Sequence, residues 1–154
     1  MGTISQFYSE NKLMQEMSCV FKDEDTIVDF HTLLEKIRMF TNKSVSDRNI
    51  ILEDLVFYKG ELEAMRVKAE ARIRKIEAVA YIQCFEKMKV SGVRWTEELL
   101  KAKLAELDLE TNDKAYNALL QQFRCCTKWV GILTDSYYIL NSTNKILNNN
   151  VTTM

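Results

Sequence analysis

The scarcity of turn-forming residues limits what this chain can fold into more than any other feature. Its 154 residues include no proline, and the four glycines are Gly2, Gly60, Gly92 and Gly131. All-β folds need turn residues at intervals of about 8 to 12 positions, and α/β folds need glycine-bearing loops. Because the chain supplies neither, the sequence predicts an all-α protein with few, long helices.

Apolar periodicity places two short helices at the start of the chain. Residues 1–8 carry no such pattern and are expected to fray. Spacings of three and four residues predict helices at 9–21 and at about 26–40, with Asp25 as the N-cap of the second. A short linker at 41–46 follows.

Two long helices are predicted in the rest of the chain. A heptad-like stripe runs from about Asp47 to Lys89, with a local bend expected at Gly60. Thr96 is the predicted N-cap of the next helix, whose apolar stripe shifts phase once, as in a coiled-coil stutter, before continuing to residue 140. Residues 141–154 are polar and rich in asparagine, which predicts a disordered tail.

Helices of this length favour an antiparallel hairpin whose remaining apolar surface is buried by other subunits. The predicted organisation is a short-helix acidic segment at 1–46, a helical hairpin at 47–140 and the tail at 141–154. Residues 116–140 of the second long helix carry an unbroken heptad seam, which predicts a homo-oligomer. The interface residues expected from that seam are Tyr116, Leu119, Phe123, Val130, Leu133 and Tyr137.

Charge is distributed unevenly, although the net charge is only −1. Residues 59–94 carry nine basic and five acidic groups, and every other part of the chain is acidic overall. Lys68, Arg72 and Lys75 share one flank of the predicted helix at i, i+4 and i+7. Cations on one flank can follow a phosphate backbone, particularly when an oligomer repeats them. The alternative is a solvated face making pairs such as Arg74–Glu77.

A second stripe on the same helix contains Arg74, Tyr81 and Phe85. Aromatic rings can stack on unpaired bases, so these two rings are candidate nucleic-acid contacts. The alternative is that they belong to the core or to a subunit interface. Arg66 lies outside the basic flank but within the same cluster.

The sequence offers little for catalysis or for metal binding. His31 is the one histidine, and we expect it at the surface or at a helix cap. The four cysteines, Cys19, Cys84, Cys125 and Cys126, form no CxxC pair and are expected to be small core residues in a reducing cytoplasm. Because these residues form no catalytic or metal-binding pattern, no enzymatic activity, cofactor or metal is predicted. No signal peptide or membrane-spanning segment is expected, so no membrane partner is predicted either.

Two segments resemble a known family. Arg94–Leu104, RWTEELLKAKL, resembles a helix start in tailed-phage recombination mediators of the UvsY type, and Trp129–Asp135 extends the resemblance over about residues 50–147. The resemblance implies a small, ring-forming cytoplasmic protein that binds single-stranded DNA. It also implies loading of a recombinase onto DNA covered by a single-strand-binding protein. The family's basic cluster would fall on Arg66, Lys68, Arg72, Arg74 and Lys75.

Two functional hypotheses follow from the sequence. The first is a recombination mediator that binds single-stranded DNA through charge and avidity. The second is a non-enzymatic helical interaction subunit, such as a viral structural, adaptor or inhibitor protein, in which the apolar seams serve only to pair helices.

Overall fold

The protein is all-α, as its lack of turn residues predicts. A computed structural model describes residues 9–153, and the side chains of residues 9–150. No strand occurs within that part of the chain, and the predicted fraying of residues 1–8 lies outside it. The helices are α1 (Glu10–Met17), α2 (Glu24–Arg38), a 3₁₀ helix (Phe40–Asn42), α3 (Val45–Val90), α4 (Glu97–Leu107), α5 (Leu109–Asn112) and α6 (Lys114–Thr153).

The predicted helix starts are correct in part. Ser9 caps α1, whose first-turn amide at Lys12 donates to the Ser9 hydroxyl over 3.2 Å. Thr96 caps α4 as predicted and accepts from the Leu99 amide at 3.1 Å. The predicted N-cap of α2 is wrong by two residues. Asp23 takes that position and accepts from the Asp25 amide, because its extended backbone aims the carboxylate at the first helical turn.

The second long helix does not run unbroken from Thr96 to residue 140. Asp108 adopts a left-handed conformation with φ 44° and ends α4, and α5 follows as a single turn. The Asn112 side chain donates to the Leu107 carbonyl at 2.8 Å, which satisfies a backbone group left open by the break. The phase shift in the sequence therefore marks two helix ends instead of a coiled-coil stutter.

The predicted disorder of residues 141–154 is wrong for residues 141–150, where α6 continues. The reason lies near the start of α3, where Arg48 is buried. Its guanidinium donates to the side-chain oxygens of Asn144 and Asn148, each at 2.9 Å, and to the Lys43 carbonyl at 2.7 Å. Two of the asparagines on which the prediction of disorder rests are therefore hydrogen-bond partners of a buried cation.

The chain divides into two compact units that differ from the predicted segments. The terminal unit comprises Met1–Met65 and Arg124–Met154, and the middle unit comprises Arg66–Phe123. In the terminal unit, the hydrogen bonds of Asn144 with Arg48 and Asn49 place the start of α3 beside the C-terminal part of α6. Helices α1 and α2, which the sequence predicts as a segment separate from the hairpin, pack into the same core. That core contains Leu13, Met17, Ile27, Phe30, Leu33, Leu34, Ile37, Phe40, Ile51, Leu55, Leu62, Cys126, Trp129 and Leu133.

Aromatic contacts join the helices of the terminal unit. The Phe30 ring lies edge-on to Trp129 and to Tyr58, with centroid distances of 5.3 and 5.1 Å. The indole N–H of Trp129 donates to Glu16 Oε1 at 3.1 Å, and Lys128 pairs with the same oxygen. The carboxylate of α1 therefore satisfies the one polar atom of a fully buried indole.

The middle unit has a smaller core of its own. Cys84 and Met88 of α3 pack with Leu100 of α4, and Leu99, Leu104 and Leu107 are half-buried against them. Gly92, in the connection between α3 and α4, has φ 71°, a conformation that glycine adopts without steric cost. Within residues 9–153, no helix is long and apolar enough to cross a membrane.

Candidate nucleic-acid interface

Three cations of α3 form an exposed surface, which we call the basic flank: Lys68, Arg72 and Lys75. All belong to the middle unit and share one side of an uninterrupted helix. Among the described residues, none of the three has a salt-bridge or side-chain hydrogen-bond partner. The structure therefore leaves their charges available to an anionic ligand.

The two acidic residues nearest to these cations in sequence, Glu70 and Glu77, are directed elsewhere. Glu70 accepts from the Arg74 guanidinium at 2.7 Å, in an i, i+4 pair. Glu77 accepts from the hydroxyl of Tyr116 at 3.0 Å, so the predicted Arg74–Glu77 pair is replaced by Arg74–Glu70. At about 100° per residue, both carboxylates lie on the opposite side of the core-facing stripe from the basic flank. These two carboxylates therefore do not neutralise the positive charge of the basic flank.

The remaining members of the predicted cluster are placed differently. Arg66 is half-buried and Arg74 is exposed but paired. Tyr81 follows Arg72 by nine residues, which is about two and a half turns, so its ring lies on the opposite side of α3 from Arg72. The Phe85 ring contacts Trp95 edge-on, with centroids 5.9 Å apart. The structure therefore does not bring the aromatic stripe and the basic flank together.

The predicted oligomer seam is used in part within the chain. Leu133 is fully buried in the core of the terminal unit, so its assignment to a subunit interface is wrong. Val130 and Tyr137 pack partly buried against the same core. A heptad stripe does not specify whether its partner helix is in the same molecule. Here α1 to α3 supply much of the surface against which the stripe packs. The Tyr116 hydroxyl donates to Glu77, whereas Leu119 and Phe123 are half-buried and remain candidate interface residues.

Among residues 9–150, the histidine and the cysteines form no reactive cluster. His31 is buried, contrary to the expected surface position, because it belongs to the core-facing side of α2; its Nε2 lies 3.7 Å from Glu35 Oε1. Cys19 and Cys125 both direct their sulfur atoms to the Glu16 carbonyl, at 3.6 and 3.5 Å. Burial, with the neighbouring Cys19 adding to it, raises the pKa of the Cys125 thiol far above its usual range, which makes that sulfur a poor nucleophile at neutral pH.

Cys84 and Cys126 are buried, as expected of small core residues. In the part of the chain described here, no three His, Cys, Asp or Glu side chains are grouped so that they could hold a metal ion.

Sequence reasoning missed a second surface of the middle unit. A groove of about 830 Å³ lies between α3 and the segment from α4 to the start of α6. Arg74, Tyr81 and Tyr116, which the sequence predicts to contact DNA or to form an oligomer interface, all line it. Two of its acidic lining residues, Asp108 and Glu110, come from the break between α4 and α6, and no local sequence pattern places that break beside α3.

Comparisons with known protein families, with curated proteins and with solved structures find no match to this chain. A functional assignment therefore depends on the geometry of these surfaces and on the sequence patterns described above.

Proposed function

We propose that this chain binds single-stranded DNA through the basic flank and acts as a recombination mediator that helps to load a recombinase. The observation that supports DNA binding is the set of three exposed, unpartnered cations on one side of α3. The loading activity, with a recombinase and a single-strand-binding protein as partners, is supported by the resemblance of residues 50–147 to phage recombination mediators.

The flank suits a phosphate backbone better than a specific base sequence. Lysine and arginine side chains on one side of a helix neutralise phosphates, while base readout needs hydrogen-bonding groups directed at base edges. Because Tyr81 lies across the helix, the proposal assigns DNA contact to charge and does not require stacking. Binding should therefore show little sequence preference and should weaken steeply with salt.

Filter binding of a labelled single-stranded oligonucleotide at several salt concentrations tests this proposal. Each phosphate contact contributes a slope of about −0.7 to the plot of log affinity against log salt. Changing Lys68, Arg72 and Lys75 together to alanine should weaken binding and reduce the steepness of that slope by about 2, which corresponds to three lost contacts.

A matched control removes the same net charge elsewhere. Lys22, Lys101 and Lys145 are exposed and are not in the basic flank. The triple alanine variant at those positions should keep the parental slope. If the two triple variants bind alike, the basic flank is only a solvated helix face.

A helical interaction subunit is the second candidate function. On α6, Ile139 and Ile146 are exposed by 50% and 60% and are separated by seven residues, and Tyr138 is 69% exposed. Sedimentation of the parent and of an Ile139→Lys/Ile146→Lys variant tests this candidate. An oligomer that dissociates in the variant, together with no salt-dependent DNA binding, would favour the second function over the first.

A further inference from the structure

The groove of the middle unit has an apolar floor that is open to solvent. Ile82 is 54% exposed and Tyr81 is 44% exposed, and Leu104 is half-buried across the groove from them. Ala78 on α3 and Ala105 on α4 contribute only methyl groups. These short side chains leave space for larger ones from outside, so the floor can receive branched apolar side chains.

The edge of the groove is acidic. Glu77, Asp108 and Glu110 line it, and Arg74 is the one cation among its lining residues. The Arg74 guanidinium is already paired with Glu70 at 2.7 Å, so it offsets little of this negative charge. A ligand that places apolar groups on the floor would therefore bring its own charged groups beside carboxylates. Those groups are favoured when they are cationic.

We propose that this groove binds the apolar face of an amphipathic helix of a protein partner, with lysine or arginine residues flanking that face. Apolar side chains at i, i+3, i+4 and i+7 of such a helix would enter the floor, as in other helix-in-groove complexes. Its cations would meet Glu77, Asp108 and Glu110. The volume of about 830 Å³ is within the range of protein binding pockets and fits a few such side chains.

Nucleic acid does not suit this groove, because three carboxylates would face its phosphates. On α3 the groove begins beside the end of the basic flank, because Ile82 follows Lys75 by seven residues, whereas Tyr81 lies on the opposite side of the helix from Arg72. The inference goes beyond the proposed DNA binding, and the substitutions below test the two surfaces separately.

Isothermal titration calorimetry with a designed peptide tests the inference. The probe is a helical peptide with leucine at i, i+3, i+4 and i+7 and lysine at flanking positions. A second peptide carries glutamate in place of each lysine and keeps the leucines. The lysine peptide should bind the parent chain at least about tenfold more tightly than the glutamate peptide, which corresponds to about 1.4 kcal/mol.

Variants locate the binding. Ile82→Lys puts a cation on the groove floor and should weaken binding of the lysine peptide at least about tenfold. Val79→Lys adds the same charge at a 49% exposed position that does not line the groove, and it should bind like the parent. Asp108→Asn with Glu110→Gln should lower the affinity and its salt dependence. Asparagine tolerates the left-handed backbone at position 108.

The triple alanine variant of Lys68, Arg72 and Lys75 should bind the lysine peptide at least as tightly as the parent, because Lys75 is a cation one turn from Ala78; failure of the DNA proposal therefore leaves this one testable. Equal binding of the two peptides, or equal binding by the Ile82→Lys and Val79→Lys variants, would overturn the inference. It would also be overturned if the parent is an oligomer that ignores the peptide and Ile82→Lys dissociates it, because a second copy would then fill the groove.

Discussion

The Nε–H of Arg48 donates a hydrogen bond to Oδ1 of Asn144, 96 residues further along the chain and 2.9 Å away. Asn144 in turn donates from its amide nitrogen to Asn49 at 3.2 Å, so its side chain joins two consecutive residues of α3. The buried guanidinium is surrounded by amide and carbonyl oxygens. This contact keeps the polar C-terminal part of α6 against the start of α3.

Asn144→Ala should lower the free energy of unfolding by about 1–3 kcal/mol, because a buried donor loses its acceptor. Chemical denaturation followed by circular dichroism measures the change. Lys145→Ala, at the next and exposed position, should stay within about 0.5 kcal/mol of the parent. In a double variant with Arg48→Met, the loss should be smaller than the sum of the single losses, since the two side chains interact directly. Additive losses would contradict this coupling.

Glu16→Ala should also destabilise the protein by about 1–3 kcal/mol, since it removes the acceptor of the Trp129 indole N–H. Glu16→Gln should cost less, because the amide oxygen still accepts and only the attraction to Lys128 is lost. Thermal unfolding ranks the stabilities of the two variants, and Gln15→Ala, at an exposed neighbouring position, is the control. The hydrogen bond would be unimportant if alanine and glutamine were equivalent.

Tyr58 should make the protein less stable in alkaline solution. Burial of its phenol, assisted by Asp29 and Asp54, raises its pKa above the ordinary value of 10.0. A raised pKa in the folded state means that the stability associated with the neutral phenol is complete below pH 10.0 and declines as the pH rises further. Tyr58→Phe removes this titration and keeps the ring.

Denaturation of the parent and of Tyr58→Phe between pH 7 and pH 11 tests that sign. The difference in unfolding free energy should change above pH 10 in favour of the phenylalanine variant. Tyr138→Phe, at a 69% exposed position, serves as the control and should follow the parent throughout. A constant difference for Tyr58→Phe across this range would contradict the assignment.

Gly60→Ala should stabilise the chain by about 0.5–1 kcal/mol. Gly60 lies inside α3, and a Cβ atom built on it meets no other heavy atom within 4 Å. Alanine therefore adds helix propensity without a clash. Gly92→Ala is the opposite case, because its φ of 71° is strained for alanine, and it should destabilise. Melting temperatures that move in the same direction for both variants would refute this reading of the two glycines.

The sequence predicts those parts of the fold that depend on local chemistry. The absence of proline predicts long helices, Thr96 predicts a cap, and the spacing of Lys68, Arg72 and Lys75 predicts a shared flank. Partners distant in sequence are not predictable in this way. The local composition around Asn144 predicts disorder, and only the folded chain brings Arg48 into contact with it. In the same way, a heptad containing Leu133 does not reveal that its partner helices belong to the same molecule.

Trp129 and Trp95 are the two tryptophans of the chain, and each unit contains one of them. Trp129 is inaccessible to solvent in the terminal unit, whereas Trp95 is 43% exposed in the middle unit. An enclosed indole emits at shorter wavelength than a hydrated one, so the chain carries two distinguishable intrinsic fluorophores. A Trp95→Phe variant would report only on the terminal unit and a Trp129→Phe variant only on the middle unit. The cooperativity of the two units can therefore be measured without attaching any label.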